Sequence, residues 1–304
     1  MNSTLPPLPY DEWAPAKWTL HLYLQIVGKI HLATTHHRNH WWNVPFYLTA
    51  RGLDTHGMMV GERRLEMSFD FIDNRVIITT ADGGERSIAL VDGLSVKEFY
   101  YAVFRALDEL GIALRIWAKP FGVPIETRFD QDDEHHNYDA DAVRRWWRIL
   151  SWSADVFEEY AGEFAGKTSP VHLFWHSLDL AVSRFSGRRA PSRDGAGIVE
   201  REAYSHEVIS GGFWPGDETT RFPAYYGYTA PEPGGLANRP LEPESARWNA
   251  LPGGSHLAIL PYDDIRALAD PRAALLAFLR SNYDAGASLA KWDVAAPEPF
   301  PKEP

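Results

Sequence analysis

Between Ser169 and Pro191 the chain reads SPVHLFWHSLDLAVSRFSGRRAP, which sets His172, His176, Asp179 and Arg184 inside an apolar and aromatic run. Burying an ionisable group is costly unless it is paired or hydrogen-bonded. Whatever fold buries this run must therefore bring partners to those four side chains. A second polar cluster, Tyr204-Ser205-His206-Glu207, leads into the aromatic, glycine-rich stretch Ile209–Gly216. The two clusters together point to a pocket.

The secondary structure of the first run decides what that pocket can do. On a helix, His172, His176 and Asp179 fall at i, i+4 and i+7 on one face. Two imidazoles and a carboxylate resemble the donor sets of catalytic zinc and non-haem iron sites. On a strand, His172, His176 and Arg184 share one face and Asp179 points to the other, so the triad separates. An internal spacing favours the strand. Trp13, Trp42 and Arg51 lie 29 and 9 residues apart, and Trp146, Trp175 and Arg184 repeat both spacings. Pro45 disfavours helix in the first matched segment, WNVPFYLTAR, and by extension in its counterpart, WHSLDLAVSR.

The wider pattern reads as an α+β fold: antiparallel β-sheets flanked by helices, in two related helix–strands–helix halves. Trp18, Leu22 and Ile26 predict a helix over 14–33, with His21, Gln25 and Lys29 as a polar line at the same spacing. That line reads as a solvated face or a pocket wall. Strands are expected near 44–51, 64–72, 74–80 and 85–90, the clearest alternation being Leu65, Met67, Phe69 and Phe71. Ser95 and Glu98 form a capping box for a helix over 96–110, and Ile112–Trp117 reads as a further strand. Residues 1–120 make one half, 121–137 a connector, 138–296 the second half and 297–304 a tail. The second half opens with a long helix from Asp139 or Asp141 to about Phe164. Strand-like segments follow at 171–185, 206–213, 222–229 and 256–261, with long loops at 186–200 and 230–254, and Asp270-Pro271 starts a last helix.

Composition narrows the function classes. With 45% hydrophobic and 23% charged residues, the 304-residue chain has the balance of a soluble globular protein. A net charge of -11 argues against binding nucleic acid, and no apolar run is long enough to span a membrane. A cytoplasmic location is expected, since no secretory signal is visible. The absence of cysteine excludes disulfides, thiolate ligands and a cysteine nucleophile. Glycine-rich dinucleotide, P-loop and nucleophile-elbow motifs are missing, so no motif indicates a cofactor. His36, His37 and His40 read as a polar loop. Asp130, Asp132, Glu134, His135 and His136 lack the spacing of an EF-hand and read as a helix-capping connector.

What remains is a small-molecule site. His172 and His206 are the candidate acid–base groups, with Asp179 and Glu207 as their orienting carboxylates. Arg184 is the candidate anchor for an anionic substrate, and Trp175, Trp214 and Tyr225 the candidate aromatic walls. The leading expectation is an enzyme acting on an anionic or ring-containing substrate. A non-catalytic binding protein using the same pocket is the alternative, and a zinc or iron enzyme with His ligands is the second alternative.

The motifs SPVHLFWHSLDLAVSRFSGRRAP, REAYSHEVISGGFWPG, YYGYTAPEPGG, LPYDDIR and NHWWNVPFYLTARGL together resemble a family of bacterial proteins of unknown function. The resemblance extends over nearly the full length and implies no activity. His172, Asp179, Arg184, His206, Glu207, Asp130, Asp132 and His135 match that family's pattern. His176 departs from it, which weakens a metal triad built on that residue.

Overall fold

Two antiparallel sheets, the first with side chains that alternate along its longer strands and the second with central strands buried on both faces, make up this computed structural model, which describes residues 5–192 and 195–293. Helix α1 (Tyr10–Thr34) precedes the first sheet and is buried along most of its length. The first sheet contains β1 (Tyr47–Leu48), β2 (Gly52–Asp54), β3 (Met58–Val60), β4 (Arg63–Asp70), β5 (Arg75–Thr80) and β6 (Glu85–Ala89). Its order is β1-β2-β4-β5-β6, with β3 also paired to β4. Leu65, Met67, Phe69 and Phe71 all turn into the core, as their alternation predicts. Helix α2 (Val96–Glu109) starts at Ser95, and the capping box with Glu98 makes both of its reciprocal hydrogen bonds.

Ile112–Trp117 corrects one expectation. Ile112 is buried and Leu114 and Ile116 pack on the core, so the alternation is real. Among the described residues no strand pairs with it, and the segment stays outside both sheets.

Helix α3 (Ala140–Gly162) begins at Asp139, whose carboxylate accepts from the backbone N–H groups of Asp141 and Ala142. It leads into β7 (Lys167–Thr168), β8 (His172–Phe174) and β9 (Asp179–Arg189), which runs into the loop expected over 186–200, then a short α4 (Ile198–Ala203) that begins at the end of that loop. β10 (His206–Trp214), β11 (Ala224–Ala230), β12 (Arg247–Ala250) and β13 (His256–Pro261) complete the second sheet, in the order β12-β13-β11-β10-β9-β7. β8 adds to β9. After α5 (Tyr262–Arg266), α6 (Pro271–Leu289) starts with Asp270 at the cap and Pro271 in its first turn.

The run Ser169–Pro191 is a hairpin, not the single strand expected over 171–185. Trp175–Leu178 make the turn, and the register pairs His172 with Ala181 and Phe174 with Asp179. Paired residues of an antiparallel ladder project to the same face, so His172 and Asp179 lie on one side of the sheet. Arg184, odd-numbered steps away from Asp179, lies on the other. The expected facing of this segment is therefore reversed, because the turn changes the parity.

One face of the second sheet packs on α3 and α6. Close approach of α6 needs bare backbone there: a Cβ on Gly211 would meet Leu279 at 2.7 Å, and one on Gly227 would meet Asn282 at 2.6 Å. The main core cluster extends from Leu5 to Leu279 and includes residues of both sheets. Trp13 and Trp146, the first members of the two repeated spacings, stack with centroids 6.1 Å apart. Phe46 and Leu173 join the two sheets through a backbone bridge. The expected tail at 297–304 lies outside the described residues.

Candidate functional site

The other face of the second sheet is the floor of a cavity of about 530 Å³. Strand register sets the floor in two rows. Ser183, Ser210 and Tyr228 form one, and Ala181, Gly212 and Tyr226 the other. Trp175 and His176 of the β8–β9 turn, Phe121 of the connector and Trp41 of the turn Asn39–Trp41 supply walls. Lys29 and Leu32 of α1 close another side, and Val199 and Ala203 bring α4 over the opening formed with Trp41. α4 is held there by the Trp41 Nε1–H donating to the Val199 carbonyl at 3.2 Å and by a 2.7 Å contact of the Glu202 carboxylate with the His37 imidazole.

The polar line on α1 acts as a strut for these walls. His21 and Gln25 are buried, not solvated. His21 Nε2 lies 2.9 Å from the Trp175 carbonyl, and burial lowers its pKa to about 3, which keeps the imidazole neutral and able to donate there. Gln25 both donates to the Phe121 carbonyl at 2.9 Å and accepts from the Phe121 N–H at 2.8 Å. Gly28 lets the Trp175 indole lie on α1, since a Cβ there would meet the ring at 2.4 Å.

Asp179 organises the polar corner of the cavity. Its carboxylate accepts from the Tyr226 hydroxyl at 2.5 Å and from the Ser177 hydroxyl. Tyr226 reaches it across Gly212, where a Cβ would lie 2.5 Å from the phenol oxygen. Burial, reinforced by the Asp179 charge, pushes the Tyr226 phenol well above its ordinary range, so it stays a proton donor. His176 Nε2 stands 3.4 Å from Ser177 Oγ. Burial lowers its pKa, partly opposed by Asp179. The sequence of contacts is His176, Ser177, Asp179, with the hydroxyl in the middle and its proton directed at the carboxylate. A catalytic triad needs the imidazole in the middle, so Ser177 is not arranged as an activated nucleophile.

Of the candidate acid–base, anchoring and aromatic residues proposed from the sequence, Trp175, Asp179 and Trp214 line this cavity. His172 is on the same face but sealed beneath it, 4.7 Å from the Phe174 ring and 6.0 Å from Tyr47, and burial takes its pKa to about 3. Arg184 faces α3, with its guanidinium 3.5 Å from the Tyr160 ring centroid, 4.6 Å from that of Tyr283 and 3.8 Å from Glu163. It also donates to the Tyr160 carbonyl. Glu207 is tied to Arg188 at 2.7 Å and to the Ser186 hydroxyl at 2.8 Å. His206 packs 5.5 Å from His40, and His40 stands between it and the cavity as a lining residue. Tyr225 points into the helix-facing core, bonded to Ser153 at 2.9 Å.

The sequence reading missed Tyr226, Tyr228, Phe121 and Trp41 as wall residues; Lys29 takes the pocket-wall alternative of its line, and His176, considered only with the metal triad, is a wall residue too. Tyr226 and Tyr228 were within reach of the sequence reading. Trp214 pairs with Ala224, so the even-numbered tyrosines of YYGY share the Trp214 face. Among the described residues, no three His, Asp or Glu side chains come together as a metal site. No described helix is long and apolar enough to cross a membrane.

Fold and site thus define an α+β protein with two antiparallel sheets, the second of which carries an aromatic cavity on its free face. Residues 5–299 match the model of a family of unknown function, DUF5996, and the chain belongs to that family. Comparison with curated proteins and with solved structures gives no match.

Proposed function

We propose that the chain binds a small, flat, ring-containing molecule in the cavity on the second sheet. The observation that carries this reading is the cavity itself: about 530 Å³, walled by Trp41, Phe121, Phe174, Trp175 and Trp214, with one polar corner at Asp179. Small-molecule sites have this size and this ratio of aromatic wall to a few fixed polar groups. Rings stack on such walls, while Asp179 takes a hydroxyl or amino donor from the ligand and Ser183 and Ser210 offer hydrogen bonds across the floor. The reading keeps Trp175, Asp179 and Trp214 as ligand-contacting residues and adds Tyr226 and Tyr228. A small-molecule partner in a cytoplasmic setting, without nucleic acid or membrane, belongs to the same proposal; the acidic net charge of -11 supports the exclusion of nucleic acid. Filling the cavity with Ala181→Trp tests it through the binding of a neutral naphthyl probe.

An enzymatic version rests on His176. Its imidazole lines the cavity, is kept neutral near pH 7 by burial, and sits beside the Ser177–Asp179 pair. A neutral imidazole at a ligand's edge is a competent general base.

A further inference from the structure

We infer that the ligand of this cavity is an organic anion and that Lys29 pairs with its carboxylate or sulfonate group; this rests on the cavity being the binding site.

His21, Gln25 and Lys29 lie at four-residue intervals on one line of α1. The first two members are spent on the loops that carry Trp175 and Phe121. The third also faces the cavity, and among the described residues no carboxylate, carbonyl or hydroxyl engages its ammonium. Burial is what acts on it, lowering its pKa without a neighbouring charge to raise it. Asp179 lines the same cavity but is occupied by Tyr226 and Ser177, and the two charges form no ion pair. Lys29 is the lone Lys or Arg side chain among the described lining residues. The two imidazoles there, His40 and His176, are held toward their neutral forms by burial. A half-buried lysine lining an aromatic-walled cavity, with no partner among the described residues, is complementary to an anion on a flat ring body. The arginine expected to do this from the sequence, Arg184, is on the opposite face and already surrounded by Tyr160, Tyr283 and Glu163.

Two probes of nearly the same aromatic body separate charge from shape. 8-Anilinonaphthalene-1-sulfonate carries an anion; N-phenyl-1-naphthylamine does not. Both are titrated by fluorescence into the full chain, the Lys29→Met variant and the Lys29→Arg variant at one fixed ionic strength. The expected result is a loss of sulfonate affinity of about tenfold or more in Lys29→Met, the scale of one charge-assisted hydrogen bond. The neutral probe should bind wild type and variant within about twofold, and Lys29→Arg should retain the sulfonate, because the cation is kept. Unchanged sulfonate affinity in Lys29→Met overturns the inference. So does an equal loss of both probes, which makes Lys29 a determinant of cavity shape alone. Failure of the sulfonate alone to bind the wild-type chain also overturns the inference, whereas failure of the neutral probe counts against the cavity as a site for ring-bearing ligands.

Discussion

Three imidazoles are buried in this fold without an acidic partner, and they set its response to acid. His21 and His172 are lowered from 6.5 to about 3, and His31 to about 4, by burial in each case. All three are neutral in the folded chain near pH 7. The unfolded chain protonates them as the pH falls through 6.5, while the folded chain holds them neutral until about 3 to 4. In that window the unfolded state binds more protons, so stability is full above it and is lost as the pH falls. Near pH 5 each buried imidazole costs about 2 kcal/mol relative to pH 7, a figure set by the unfolded pKa so long as the folded one lies well below. Together they remove about 6 kcal/mol, comparable to the whole stability of many domains. His172 is the best probe, because its Nδ1 has no hydrogen-bond partner and its ring packs on Phe174 and Tyr47. Urea unfolding of wild type and His172→Leu near pH 7 and near pH 5 gives the difference directly. The wild type should lose about 2 kcal/mol more than the variant between the two conditions. Equal losses would refute a neutral, buried His172.

Arg184→Ala should lower stability by roughly 2–4 kcal/mol, through lost packing on Tyr160 and Tyr283 and a lost charge-assisted hydrogen bond to the Tyr160 carbonyl, while naphthyl-probe affinity stays the same; a variant of full stability with weakened probe binding would return Arg184 to the ligand site. If the chain is an enzyme using His176, His176→Gln should reduce kcat about a hundredfold or more with any substrate the wild type turns over, with KM little changed. An unaltered kcat would remove His176 from the chemistry. The Lys29 variants complete the set, with sulfonate binding as their readout.

Much of the architecture was legible because local chemistry and global fold agree. Ser95 with Glu98, Asp139, and Asp270 with Pro271 each start the helix their chemistry specifies. The β4 alternation likewise buries the residues it should. The site was harder, for a reason of parity. Side chains on a strand alternate faces, so one turn placed inside an apparent strand reassigns every residue after it. The Trp175–Leu178 turn did this, bringing Asp179 to the His172 side and sending Arg184 to α3. Ionisable groups in an apolar run also look alike whether they face a cavity or are paired in the core. His172, Arg184 and Glu207 have their surroundings in the packing, and only three-dimensional neighbours distinguish them from Asp179. The Gly211-Gly212 pair carried a readable hint: one glycine serves each face, admitting Leu279 on one side and Tyr226 on the other.

The central claim is that the cavity on the second sheet binds a ring-bearing molecule. Ala181 of β9 lies on its floor between His172 of β8 and Gly212 of β10, so Ala181→Trp fills space without touching the helix-facing core. Titration of N-phenyl-1-naphthylamine into wild type and this variant, with circular dichroism to establish that both are folded, is the most direct measurement. The account predicts saturable binding to the wild type at one probe per chain, and affinity about tenfold or more weaker in the folded variant, as expected when a ring's apolar burial is blocked. Equal affinity in the two folded proteins would contradict it.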